Sequence, residues 1–202
     1  MQQKGILAVD DSNTHDVPCV YAAVYSTLPG DRPGNTTGSY GKCRAEKIDI
    51  RDALGERDFR YIIIPEDQKH HFELEGLWVM VLTDFIRNIS GIEQVLVDGQ
   101  HKSSLATKVK EAIWPRSCPE ITFYEHGDEQ SPILNVADML AYYFYRNHAR
   151  FGGPNKSAAG FSGKELQIDF DDYVLLKARK SKNRPQPQMR RNNCRRGNVR
   201  DY

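Results

Sequence analysis

The apolar run Ile6-Leu7-Ala8-Val9 is closed by Asp10, and a short continuous run bounded by polar residues predicts a buried strand over 6–10. A turn over 12–17 and a second run, Cys19-Val20-Tyr21-Ala22-Ala23-Val24-Tyr25, complete an antiparallel hairpin. Residues 28–40, rich in Gly, Pro, Asn and Thr, form a loop, and 43–58 fits either a strand or a short helix. Phe59-Arg60-Tyr61-Ile62-Ile63-Ile64 is a third strand, stopped by Pro65. From 69 to 88 the positions Phe72, Leu74, Leu77, Trp78, Val81, Leu82 and Phe85 recur at helical spacing and predict a long amphipathic helix, with Gly91 beyond its end.

A buried strand over 95–98, a helix over 103–114, a strand over 121–124 and a helix over 132–150 follow. Pro132 is tolerated in the first turn of the last helix. The order β-β-β-α-β-α-β-α predicts an α/β fold: a mixed five-stranded sheet, its first three strands antiparallel, flanked by helices. No internal repeat interrupts it.

Composition changes this picture at one end. The 202 residues, 39% hydrophobic and 27% charged, suit a single soluble domain. No run approaches the roughly 18 apolar residues of a membrane span, and the chain leads straight into a strand, so a cytoplasmic protein without a cleaved signal is expected. The chain holds 28 basic and 27 acidic residues. Residues 177–202 take ten of the basic ones and only one acid, Asp201, which leaves 18 basic and 26 acidic residues, a net of −8, in 1–176. An acidic domain over 1–176 therefore carries a basic arm over 177–202, poor in large apolar residues and expected to be disordered. Cys19, Cys43, Cys118 and Cys194 are scattered, with no Cys-x-x-Cys pair, and read as reduced structural thiols.

Four acids sit where elements end or begin. Asp10 closes the first strand, Asp98 closes the fourth, and Glu73 and Asp138 lie inside apolar helical patterns. Strands one and four can lie side by side in such a sheet, so Asp10 and Asp98 can share one end of it. Carboxylates converging there repel one another unless divalent cations neutralise them, and Mg²⁺ or Mn²⁺ suits oxygen ligands of this kind.

Each acid also has a purely structural reading. Asp98-Gly99 is a common turn, Glu73 complements a helix dipole, and Asp10-Asp11 caps a hairpin. Asp138 is the hardest to explain that way, with Leu134, Val136, Ala137, Leu140 and Ala141 around it. Glu75 stands as an alternative to Glu73, because the inward face of the helix is open at this stage. By strand alternation Asp11 points away from Asp10 and is a supporting residue. His70, His71, His101 and Asp128 read as exposed polar residues.

The element order and these motifs, over about residues 5–150, resemble the ribonuclease H-like superfamily. Phe72-Glu73-Leu74 is similar to the Met-Glu-Leu helix start of type 1 ribonucleases H, and Asp98-Gly99-Gln100 to their Asp-Ser-Gln. Asn135-Val136-Ala137-Asp138-Met139-Leu140-Ala141 resembles the family's Asn-x-x-Ala-Asp-x-Leu-Ala. Asp10-Asp11-Ser12 is closer to the Asp-Glu-Ser of an uncharacterised ribonuclease-H-like branch.

The resemblance implies a metal-dependent nuclease that hydrolyses phosphodiesters by a two-metal, four-carboxylate mechanism. In it Asp10 bridges both cations, Glu73 and Asp98 hold one, Asp138 holds the other, and His126, in the loop before the last helix, assists proton transfer. The implied partner is nucleic acid: RNA, an RNA–DNA hybrid or DNA. The basic arm would bind its phosphates by counterion release.

Two other classes compete. A non-catalytic nucleic-acid-binding protein can use the same scaffold. The run Ile6-Leu7-Ala8-Val9-Asp10-Asp11-Ser12 also resembles the first strand of a receiver-like signalling domain, although there a helix, not a strand, comes next.

Overall fold

The computed structural model describes residues 4–12, 19–32, 50–69, 72–151, 161 and 163–170. Two compact units divide the chain, Met1–Ile168 and Asp169–Tyr202. In the second only Asp169 and Phe170 are described, and the predicted basic arm lies outside the described residues. So do residues 13–17 of the turn predicted over 12–17, whose first residue, Ser12, ends β1, most of the loop predicted over 28–40, residues 43–49, and His70 and His71.

Five strands, β1 (Gly5–Ser12), β2 (Cys19–Ser26), β3 (Asp58–Ile64), β4 (Ile92–Asp98) and β5 (Glu120–Tyr124), form one sheet in the order β3-β2-β1-β4-β5. The β1–β2 and β2–β3 pairs are antiparallel, and β4 is parallel to both β1 and β5. The fold is thus the mixed sheet with flanking helices that the element order predicts. An antiparallel strand directly after β1 also removes the receiver-like arrangement.

The helices are α1 (Ile50–Leu54), α2 (Glu66–Lys69), α3 (Leu74–Asn88), α4 (Ser104–Ile113), α5 (Gly127–Gln130) and α6 (Pro132–Phe151), with a short 3-10 turn over Pro29–Asp31. The ambiguous stretch over 43–58 contributes the helix α1 and the start of β3. The helix expected from 69 begins five residues later, because Glu73 is extended at φ −69°, ψ 150° and separates α2 from α3. Phe72 fits the helical spacing, yet spacing alone does not register that backbone break.

Alternation sorts the sheet into two faces. Ile6, Ala8, Val20, Ala22, Val24 and Leu96 form one buried cluster with Leu134, Ala137, Leu140, Ala141 and Phe144 of α6. Alanines stand on both sides of this contact, Ala8 and Ala22 on the sheet and Ala137 and Ala141 on the helix, so α6 packs close to the strands. On the opposite face α3 covers the sheet, with Trp78 edge-on to Tyr21 at 4.9 Å between ring centroids.

Around the rim, Arg57 pairs bidentately with the buried Asp31 at 2.7 Å and reaches the α1 carbonyls of Ala53 and Leu54. At the β3 edge Leu166 N–H donates to the Tyr61 carbonyl, so a downstream segment pairs with that strand. Cys19 and Cys118 are in the thiol form.

Candidate active site

The sheet register decides which carboxylates meet. Ala8 pairs with Leu96 and Val9 with Val97 in the parallel β1–β4 ladder. One step further along, Asp10 comes beside Asp98 at the same end of the sheet. Ile6 and Ala8 face α6, so Asp10, the next even position of β1, faces α6 as well. Leu96 likewise sets the direction of Asp98. Asp138 lies one turn after Leu134 and next to Ala137, on the flank of α6 that packs against these strands. The alanine contact is what lets it approach.

The electrostatics report the same convergence. Asp10 is buried, 7% exposed. Burial first, then the charges of Asp98, Asp138 and Asp11 in that order, raise its carboxyl well above the usual carboxylate range. A hydrogen bond from Asp11 N–H to Asp10 Oδ1, 2.7 Å, opposes that rise only in part. Asp98 is held from another side: its Oδ1 accepts from Gly99 N–H at 2.8 Å and from Gly127 N–H at 2.6 Å. Three aspartates thus come together from β1, β4 and α6.

Among the described residues no three His, Cys, Asp or Glu side chains close to coordinating distance. The two observations agree physically, because like charges act on each other over longer distances than those at which a cation is bound directly. The donor set, carboxylate oxygen throughout, suits a hard divalent cation.

Glu73 and Glu75 separate clearly. Glu75 accepts from Ser104 Oγ at 2.8 Å and Lys108 Nζ at 2.6 Å, which turns it toward α4. Glu73 precedes α3 as its N-cap residue and is exposed, with no capping hydrogen bond from its side chain. Because α3 runs back to the start of β4, Glu73 lies at the Asp98 end of the sheet. It does not figure among the charges that raise Asp10; Asp11 does. Asp11 nevertheless belongs to the other face by alternation, where its charge acts on the Tyr21 hydroxyl.

His126 is exposed and left-handed, φ 57°, immediately before α5. Its neighbour Gly127 binds Asp98, so the His126 loop borders the aspartates.

Two residues differ from their sequence reading. Asp128 is buried, not exposed, within the α5 turn whose carbonyl accepts from Asn135 Nδ2. His101 is half-buried, packed against Trp78 at 4.6 Å and Phe123 at 5.3 Å. Its Nε2 lies 3.0 Å from the Asp98 carbonyl, which can only accept, so Nε2 carries the proton. Burial lowers its pKa, against the pull of the Asp98 carbonyl and charge. The spacing of a histidine three residues after a strand-ending Asp-Gly was the available signal. His101→Ala, which loses both ring contacts and the hydrogen bond, is expected to cost about 1–3 kcal/mol by thermal or urea unfolding. An unchanged midpoint would remove the bracing role.

No protein-family model and no curated protein sequence matches the chain. Among solved structures, the ribonuclease H2 from Pyrococcus horikoshii OT3 superposes with a TM-score of 0.55 at 10% identity, covering 88% of this chain and 88% of that one. RNase HII from Archaeoglobus fulgidus, in a complex with PCNA, covers 96% of this chain and 98% of its own at 14% identity and a TM-score of 0.49. Bst-RNase HIII in complex with Mn²⁺ has a TM-score of 0.46 at 12% identity, over 74% of this chain and 56% of that one. The first of these likenesses establishes a ribonuclease H-like fold.

Proposed function

We propose that this chain is a divalent-metal-dependent nuclease that uses Asp10, Asp98 and Asp138 as its central carboxylates. The observation that carries the reading is the convergence of Asp10, Asp98 and Asp138 from β1, β4 and α6 around a buried Asp10, whose carboxyl that crowding raises. A structural protein has no use for such crowding, whereas Mg²⁺ or Mn²⁺ turns it into binding energy. Glu73, at the same end of the sheet and facing solvent, is the fourth carboxylate; Glu75 is committed to α4. The cation, when bound, stabilises charge on the phosphate and makes water a better nucleophile.

The protein's own residues supply the rest. Asp98, fixed by two backbone N–H donors, offers its remaining coordination in a set direction. His126, exposed at the rim, takes or gives a proton at the attacking water or the leaving oxygen. The substrate is RNA, an RNA–DNA hybrid or DNA, drawn in against the repulsion of an acidic domain by the cationic residues of 177–202.

The test is cleavage of labelled RNA, DNA and hybrid in Mn²⁺, Mg²⁺ or EDTA, with Asp98→Asn and Asp138→Asn in parallel. Cutting that needs metal and disappears in both variants is the expected result, and the cut strand names the substrate. Binding without cutting in any metal would replace this reading by that of a nucleic-acid-binding protein on the same fold.

A further inference from the structure

Trp114 and Leu74 are the exposed large hydrophobic side chains among the described residues, and Trp114 is 78% exposed. An indole held in water contributes nothing to the core and leaves its ring face open to a ligand. Trp114 follows the last residue of α4, a helix of ten residues, about 15 Å long, that starts beside the Asp98 turn. It therefore stands about one helix length away from the Asp98 turn.

Three cations lie in the segments around it. Lys110 lies four residues earlier, one helical turn back on the same face. Arg87, from the last turn of α3, donates through Nη2 to the Ala112 carbonyl at 2.8 Å. Arg116 reaches the Arg87 carbonyl through Nη1 at 3.4 Å. The acids nearest in sequence to these residues are Glu111 and Asp84, so three cations outnumber two acids at this corner.

A flat aromatic face rimmed by cations matches one ligand chemistry well: an unpaired base, with the flanking phosphates on Lys and Arg. A duplex, whose bases are already stacked, offers no face to the indole. We propose that Trp114, with Lys110, Arg87 and Arg116, is a stacking platform for single-stranded nucleic acid, separate from the carboxylate site. It adds to the nuclease reading a preference for substrates with a single-stranded segment.

The chain has two tryptophans, and Trp78 is 1% exposed, so a ligand stacking at the surface quenches Trp114. The experiment titrates the full chain with single-stranded oligo-dT in EDTA at low salt, following tryptophan emission and the anisotropy of an end-labelled copy. Emission is expected to fall as the oligonucleotide binds, and a blunt duplex is expected not to quench. Trp114→Ala should bind about tenfold more weakly. The double variant Lys110→Glu, Arg116→Glu should lower the salt slope of log affinity by about 1.4.

Anisotropy that rises with unchanged emission, equal binding by Trp114→Ala, or no binding at all would each overturn the platform. Because metal is absent, the two readings fail separately. Quenching in a chain that cuts nothing supports the platform and overturns the nuclease, and cleavage without quenching does the reverse.

Discussion

Asp10→Asn is expected to abolish cleavage and, in the metal-free protein, to raise the melting temperature. The two effects have one cause. In the folded chain burial and the charges of Asp98, Asp138 and Asp11 act against the Asp10 carboxylate. The folded state therefore holds this proton at pH values where the unfolded chain, near 3.8, has released it. Folding then binds more protons than unfolding, so this group's contribution to stability falls as pH rises through the window from 3.8 to the raised value. Above that window the penalty is present in full.

The isosteric amide carries no charge and pays none of it. In EDTA at neutral pH the variant should melt higher, by about 2–4 °C for each kcal/mol relieved. It should also lack the wild type's loss of stability over that acid window. Added Mn²⁺ should stabilise the wild type and leave the variant nearly unchanged. Cleavage should fall by about 10³ or more, the size of several kcal/mol of lost charge stabilisation. A variant that melts lower in EDTA, or still cuts, would show that Asp10 is not the crowded centre of the site.

Gly127→Val is expected to damage the site from behind. A Cβ at this position would lie 2.5 Å from Leu134 Cδ1, 2.9 Å from Tyr124 Cβ and 3.1 Å from Asp98 Oδ1. The first contact is a leucine tip, but the second atom is fixed to the β5 backbone and the third is the oxygen that the Gly127 N–H itself binds at 2.6 Å. Valine must push α5 away from β5 and stretch that hydrogen bond. Overpacking of this kind costs about 1–3 kcal/mol, and a displacement near 1 Å at a reacting group costs about 10² in rate. Gly99 differs in kind, since its φ of +98° demands glycine for conformation rather than for room. If Gly127→Val matched the wild type in both melting temperature and rate, the backbone clamp on Asp98 would be irrelevant to function.

Asp98 was legible as the end of β4 because it closes an apolar run, whereas Asp10 closes its run without ending its strand, since β1 continues in register with β2 to Ser12. Asp138 was legible because a carboxylate among Leu134, Val136, Ala137 and Leu140 stands out against its surroundings. The choice between Glu73 and Glu75 was not, since it depends on which face α4 covers, a tertiary fact that Ser104 and Lys108 decide. His101 and Asp128 were misread as exposed for the same reason. Both sit in polar loops by composition, and only the packing of Trp78 and Phe123, or the turn of α5, takes them out of water. The start of α3 was missed because apolar spacing continues through Phe72 while the backbone does not.

The parallel pairing of β1 with β4 joins residues separated by nearly half the chain. A hairpin of β1 and β2 can close early, since its strands adjoin in sequence, but the β1–β4 ladder must wait until the segment between them is made and folded. Asp138 arrives later still, on α6. During synthesis, therefore, the acids emerge one at a time as ordinary solvated carboxylates. The crowding at Asp10 is complete only when α6 docks, so on the reading proposed above an unfinished chain lacks the third aspartate of its site.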